Sequence, residues 1–176
     1  MSGFSVRLSI VHRFDAPPER VAEAMIDPAL PAFLQTHHEM LDEAAGVAHV
    51  DRGPMVERKV RYRPRASVQK LGPKTIPSDA LAFVEESTLD RRTLSIEFEA
   101  RSTRARLRDR VVHRGKTTLR AVDGGTERRI DATLEVRDVP FALRALQPVA
   151  ARLFRAEAER LFDGEARCLR AFLAAR

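Results

Sequence analysis

The chain of 176 residues has one cysteine, no tryptophan, one tyrosine and 6% aromatic residues. A lone Cys168 cannot close an intramolecular disulfide and completes no CxxC or Cys/His zinc spacing, which excludes a cysteine-stapled secreted scaffold and a structural zinc module. Long hydrophobic runs are also missing. No stretch approaches the roughly 20 apolar residues of a spanning helix, and Met1 to Ile10 shows no basic segment followed by an apolar run and a cleavage site, so a cytoplasmic protein is expected. There is no internal repeat, no low-complexity tract, and no GxSxG, P-loop or HExxH phrase. His37 and His38 are adjacent, point different ways on a helix and make a poor metal site, with exposed helix ends as their expected address. The scarcity of aromatics leaves few stacking platforms for nucleic acid, which ranks last among the partners considered.

What is present is apolar matter and unevenly placed charge. At this length, 44% apolar residues support a single domain over 1–176 with one core. The net charge is +6, yet residues 101–130 hold ten basic side chains against three acidic ones, a net of +7, and the remaining 146 residues sum to −1. The basic character is therefore local.

Periodicity supplies the elements. Val6, Leu8, Ile10, His12 and Phe14 alternate with Arg7, Ser9 and Arg13, the period of a half-buried strand. Asp15 is placed to cap a helix that Pro17 and Pro18 begin, and Asp27-Pro28 breaks this helix from a second short one through Phe33 and Leu34. Strand pattern returns at about 46–51 and 55–63, where Val56, Arg58, Val60 and Tyr62 share a face. Residues 64–79 carry three prolines and little periodicity and read as a loop, the best candidate for a mobile entrance together with Pro28–Leu34. Further strands are expected at about 80–89, 93–101 and 104–113, then two around Asp123-Gly124-Gly125, the second with Ile130, Ala132, Leu134 and Val136 on one face. In the 104–113 strand, Arg104, Arg106, Arg108 and Arg110 would form a ladder on the outer face, balanced by Glu97 and Glu99, or would dock transiently on an anionic membrane. From about Phe141 to Ala174 apolar residues recur at three- and four-residue steps, the stripe of one long amphipathic helix, irregular near Pro148 and Gly164. The sum is an α+β fold: a curved antiparallel sheet of about six to seven strands wrapped on a long C-terminal helix, with two short helices after the first strand.

That element order resembles the helix-grip fold of the START-like (SRPBCC) superfamily, which includes polyketide cyclases. The entry phrase His12-Arg13-Phe14-Asp15-Ala16-Pro17-Pro18-Glu19-Arg20-Val21 is similar to the superfamily's opening, and Gly125-Thr126-Glu127-Arg128-Arg129-Ile130 before the last strand fits its close. A narrower likeness, Val84-Glu85-Glu86-Ser87-Thr88-Leu89-Asp90, is to PRELI-type lipid-transfer domains, although Asp27-Pro28-Ala29-Leu30-Pro31 departs from their phrase. The resemblance implies a cavity between sheet and long helix that binds, and could pass on, a hydrophobic or amphipathic small molecule such as a lipid or fatty acid, with no metal or organic cofactor.

Strand phase then points His12, Arg58, Glu85, Asp109 and His113 at that cavity, and the helical period adds Glu157 and Glu165 to the stripe of Phe154, Leu161 and Cys168. Buried charge is costly unless paired or met by a ligand. The expected ligand-binding set is Arg58, Asp109, His113, Glu157, His12, Phe98, Phe154 and Leu161, with the guanidinium fork of Arg58 suited to a carboxylate or phosphate. Two alternatives stand beside it: an interior filled by Phe98, Phe154 and Phe172, and an enzyme of the polyketide cyclase or hydratase type using a cavity His or Glu as general base.

Overall fold

The computed structural model describes residues 3–65, 70–71, 74–75, 81–138 and 147–176. Strand β1 (Phe4–Phe14) buries Val6, Leu8, His12 and Phe14 and exposes most of the residues between them, as its alternation requires. Helix α1 (Pro18–Ile26) starts on proline, and its N-cap is Pro17, so Asp15 does not cap it. A proline lacks the N–H that a helix start would leave orphaned, which lessens the need for a side-chain cap. The break at Asp27 is held by its carboxylate, which accepts the Ala29 N–H at 2.7 Å, and α2 (Leu30–His37) follows.

The strands that come next are β2 (Leu41–Asp51), β3 (Met55–Pro64), the short β4 (Lys70–Leu71) and β5 (Lys74–Thr75), then β6 (Phe83–Asp90), β7 (Ser95–Ser102), β8 (Val111–Val122) and β9 (Gly125–Val136). The seven long strands form one antiparallel sheet in the order β1-β9-β8-β7-β6-β3-β2. The two short ones pair with each other, and most of the expected 64–79 loop lies outside the described residues. Strand β2 bulges twice, between Leu41 and Glu43 and between Gly46 and Ala48, and each bulge adds twist that helps the sheet curl.

The expected strand over 104–113 divides. Residues 105–110 form a turn in which the Arg104 carbonyl accepts the N–H groups of Leu107 and Arg108, and the Leu107 carbonyl those of Arg110 and Val111. The four arginines are therefore on a turn joining β7 to β8, and no ladder exists. Alternation over so few residues fits a helical turn as well as a strand, and here nothing covers Ala105, which is exposed. Glu97 and Glu99 stand opposite Lys116 and Arg114 instead.

Helix α3 (Gln147–Ala174) runs beside β1 in the same direction: Phe154 lies 6.3 Å from Phe4, Asp163 meets His12, and Arg170 donates to the Arg13 carbonyl. Residues 141–146, which the sequence pattern includes in this helix, lie outside the described residues. Its buried residues, Gly164, Ala166, Cys168, Leu169 and Phe172, all belong to its second half, which packs with α1, α2 and the concave sheet face in the main core. The first half leaves Val149 58%, Leu153 47% and Phe154 39% exposed.

Candidate functional site

Charge is concentrated between sheet and helix in two pairs. Arg128 on β9 is fully buried; it donates to Glu165 of α3 at 3.1 Å and to Nδ1 of His12, its register partner on β1, at 3.0 Å. His12 passes the chain on, donating from Nε2 to Asp163 at 2.9 Å. This pattern fits a neutral ring, and burial, aided by the Arg128 charge, holds His12 below its ordinary pKa. On the other side of the grip Arg58 of β3 donates to the Met25 carbonyl at the end of α1 at 2.6 Å and to Glu85 of β6 at 3.4 Å. Burial pushes Glu85 upward against the pull of Arg58.

Between these pairs lies a cavity of about 50 Å³, walled by Leu34, Leu41, Phe83, Leu161 and Phe162, with Tyr62, His38, Glu85 and Glu165 completing it. His38 is buried, contrary to the expected exposed address: Nε2 donates to the Leu161 carbonyl at 3.0 Å and Nδ1 accepts the Met40 N–H at 3.2 Å. Next to the cavity His113 packs against Phe98 and Phe162 at 5.4 and 5.9 Å, with Nε2 buried and unpartnered.

Burial pulls His113 down to about 4. Unfolded chains take up this proton below the ordinary value of about 6.5, so the stability it contributes is complete above that pH and is lost as the pH falls towards 4. Urea unfolding at pH 7.5 and 4.5 should show a loss about 2 kcal/mol smaller in His113→Phe than in the parent, and an equal loss in both would refute this role.

Of the expected ligand set, His12, Arg58, Phe98, His113 and Leu161 face the interior, but of these Leu161 alone walls the cavity. Glu157 is half-buried, with one oxygen meeting Arg160 and the other buried and unpartnered. Asp109 is corrected: it lies on the exposed β7–β8 turn, paired with Arg101 at 3.0 Å, because the strand that would have turned it inward is absent. Phe154 is corrected as well, since the first half of α3 stands away from the core and leaves it exposed. Sequence reasoning passed over Arg128, although it continues the inward phase of Ile130 and Ala132. Among the described residues no His/Cys/Asp/Glu group could hold a metal ion, and no helix is long and apolar enough to cross a membrane.

Solved structures share this fold. The chain is similar to TTHA0849 from Thermus thermophilus (19% identity, TM-score 0.63, covering 96% of this chain and 98% of that one). It is similar also to Ara h 8.0201 (15%, 0.61, 98% and 100%) and to the Zhui aromatase/cyclase from Streptomyces sp. R1128 (13%, 0.61, 99% and 96%). The chain has the START-like helix-grip fold. No family model and no curated protein matches it. In helix-grip terms the sheet is the hand and α3 the gripped rod, and the pairs Arg128–Glu165 and Arg58–Glu85, each a buried guanidinium on a half-buried carboxylate, sit in the palm.

Proposed function

We propose that this protein binds a hydrophobic or amphipathic small molecule between the sheet and α3, and carries it to and from an anionic membrane. The observation that supports this most directly is the cavity under α3, apolar on most of its wall. At about 50 Å³ it is well short of the ~300–1,000 Å³ of a drug-sized site, so a lipid-sized ligand needs the grip to open. The first half of α3 is the part with least to hold it closed: Val149, Leu153 and Phe154 are exposed, and all the helix's buried residues belong to its second half.

The route to a membrane rests on what gathers at one end of the sheet. Val111, Val136 and Phe4 are register partners on adjacent strands about 4.8 Å apart. This places the turn of Arg104, Arg106, Arg108 and Arg110 at the same end as Phe4 and Phe154. Basic side chains and exposed Leu153 and Phe154 together suit an anionic bilayer, where each basic residue is worth about 1 kcal/mol.

A cyclase-type enzyme is the second reading, favoured by Glu85, whose raised pKa beside Tyr62 in one cavity would suit general acid–base work. Native mass spectrometry of the purified protein after incubation with mixed phosphatidylethanolamine and phosphatidylglycerol vesicles is expected to show a bound lipid. Vesicle binding should weaken with salt and in the Arg106→Glu, Arg108→Glu variant. A bare chain that takes up no lipid rules out the carrier reading. Turnover of a poly-β-ketone, lost in Glu85→Gln, would replace it with the enzyme.

A further inference from the structure

The geometry points to an ammonium site: Glu85, Glu165 and Tyr62 form a polar corner of the cavity that receives the protonated amine of an amphipathic ligand. This rests on the reading that the cavity takes a ligand at all. Arg58, the residue whose chemistry suggests an acidic ligand, is engaged elsewhere, on the Met25 carbonyl and on Oε1 of Glu85, and is not part of the wall. Arg128 is likewise behind the wall, on Oε2 of Glu165. The arginines thus stand outside and the carboxylates line the space. Each arginine reaches a single carboxylate oxygen, so Oε2 of Glu85 and Oε1 of Glu165 accept no hydrogen bond among the described residues. Tyr62 is buried against the same space, and its hydroxyl has no hydrogen-bond partner among them either.

The corner therefore offers several unused acceptors against a single donor of its own, the Tyr62 hydroxyl, where a carboxylate or phosphate would need more than one. An ammonium brings three N–H donors to these acceptors, and although each glutamate is paired with an arginine, the carboxylate oxygens face the space and the guanidinium groups lie behind them, so the near field favours a cation. The rings of Tyr62, Phe83 and Phe162 wall the same space, and aromatic rings attract such a cation. The cavity volume of about 50 Å³ suits a head group of this size, a water molecule in the liquid occupying about 30 Å³. The alkyl remainder would follow the apolar wall of Leu161 and Phe162 beneath α3.

Calorimetric titration with dodecylamine, dodecanol and dodecanoate at pH 7, each below its micellar concentration, tests the site. The expected order is amine, alcohol, acid, with the amine at least tenfold tighter than the acid. In Glu165→Gln and in Glu85→Gln the preference should fall below threefold. Should either variant fail to fold, Tyr62→Phe, which leaves both arginine pairs intact, is expected to weaken the amine severalfold. Dodecanoate binding as tightly as dodecylamine overturns the ammonium site and leaves the carrier reading standing, as does an amine preference unchanged in every folded variant. If none of the three probes binds, the carrier reading falls and the site with it.

Discussion

Arg128→Met is expected to cost about 3–5 kcal/mol of unfolding free energy, the loss typical when one member of a buried ion pair is removed. For a chain of this length that is a fall in Tm of about 6–20 °C. The size follows from what would be left behind. Glu165 would keep its charge in the palm with no cation, and Nδ1 of His12 would lose its donor. The ring of Phe14, with the guanidinium carbon of Arg128 at 5.4 Å from its centre, would lose a cation–π contact. The same logic gives a control. Removing both charges in Arg128→Met, Glu165→Leu takes away the uncompensated carboxylate, so the double variant should recover at least half the loss, read by urea unfolding. A cost below about 1 kcal/mol for Arg128→Met would show that the pair does not tie α3 to the sheet.

Gly164→Ala gives the second large effect, and its sign opposes helix propensity. Alanine in a helix interior is ordinarily favoured over glycine by about 1 kcal/mol. Here a Cβ would meet Nε2 and Cε1 of His38 at 2.6 and 2.8 Å. The ring cannot step aside cheaply, because both its nitrogens are hydrogen-bonded and it is buried. The expected outcome is a net loss of about 1–3 kcal/mol, with α3 pushed away from α2. In a His38→Ala background the same substitution should be neutral or stabilising, and this reversal across a double-mutant cycle is the decisive measurement. Gly164→Ala stabilising the parent protein would mean that α3 does not depend on this close approach.

The same two positions mark the limit of what periodicity reveals. The inward faces of β1, β3, β7 and β9 were legible because a period of two residues fixes both faces of a strand once one face is apolar. Arg128 lies two residues before Ile130 in that phase, so its burial was readable, but as one of ten basic residues in 101–130 it looked like surface charge. The arginine turn misleads for the opposite reason: arginines alternating with Ala105 and Leu107 imitate a strand, and only backbone bonds from the Arg104 and Leu107 carbonyls separate the two. The orientation of Glu85 and Glu165 followed from strand and helix phase. Which charges would find partners did not, because Arg58 is taken by a carbonyl at the end of α1, 33 residues away in sequence. His38 is a similar case, its partner carbonyl at Leu161 lying 123 residues further on.

The division of α3 also bears on how this protein can change over generations. Substitutions at Val149, Leu153 and Phe154 disturb little buried structure, whereas Gly164, Ala166, Leu169 and Phe172 are enclosed by the core. Most surface replacements cost no more than about 0.5 kcal/mol. A lineage can therefore rewrite the exposed half of α3 while giving up almost none of the stability that the palm provides.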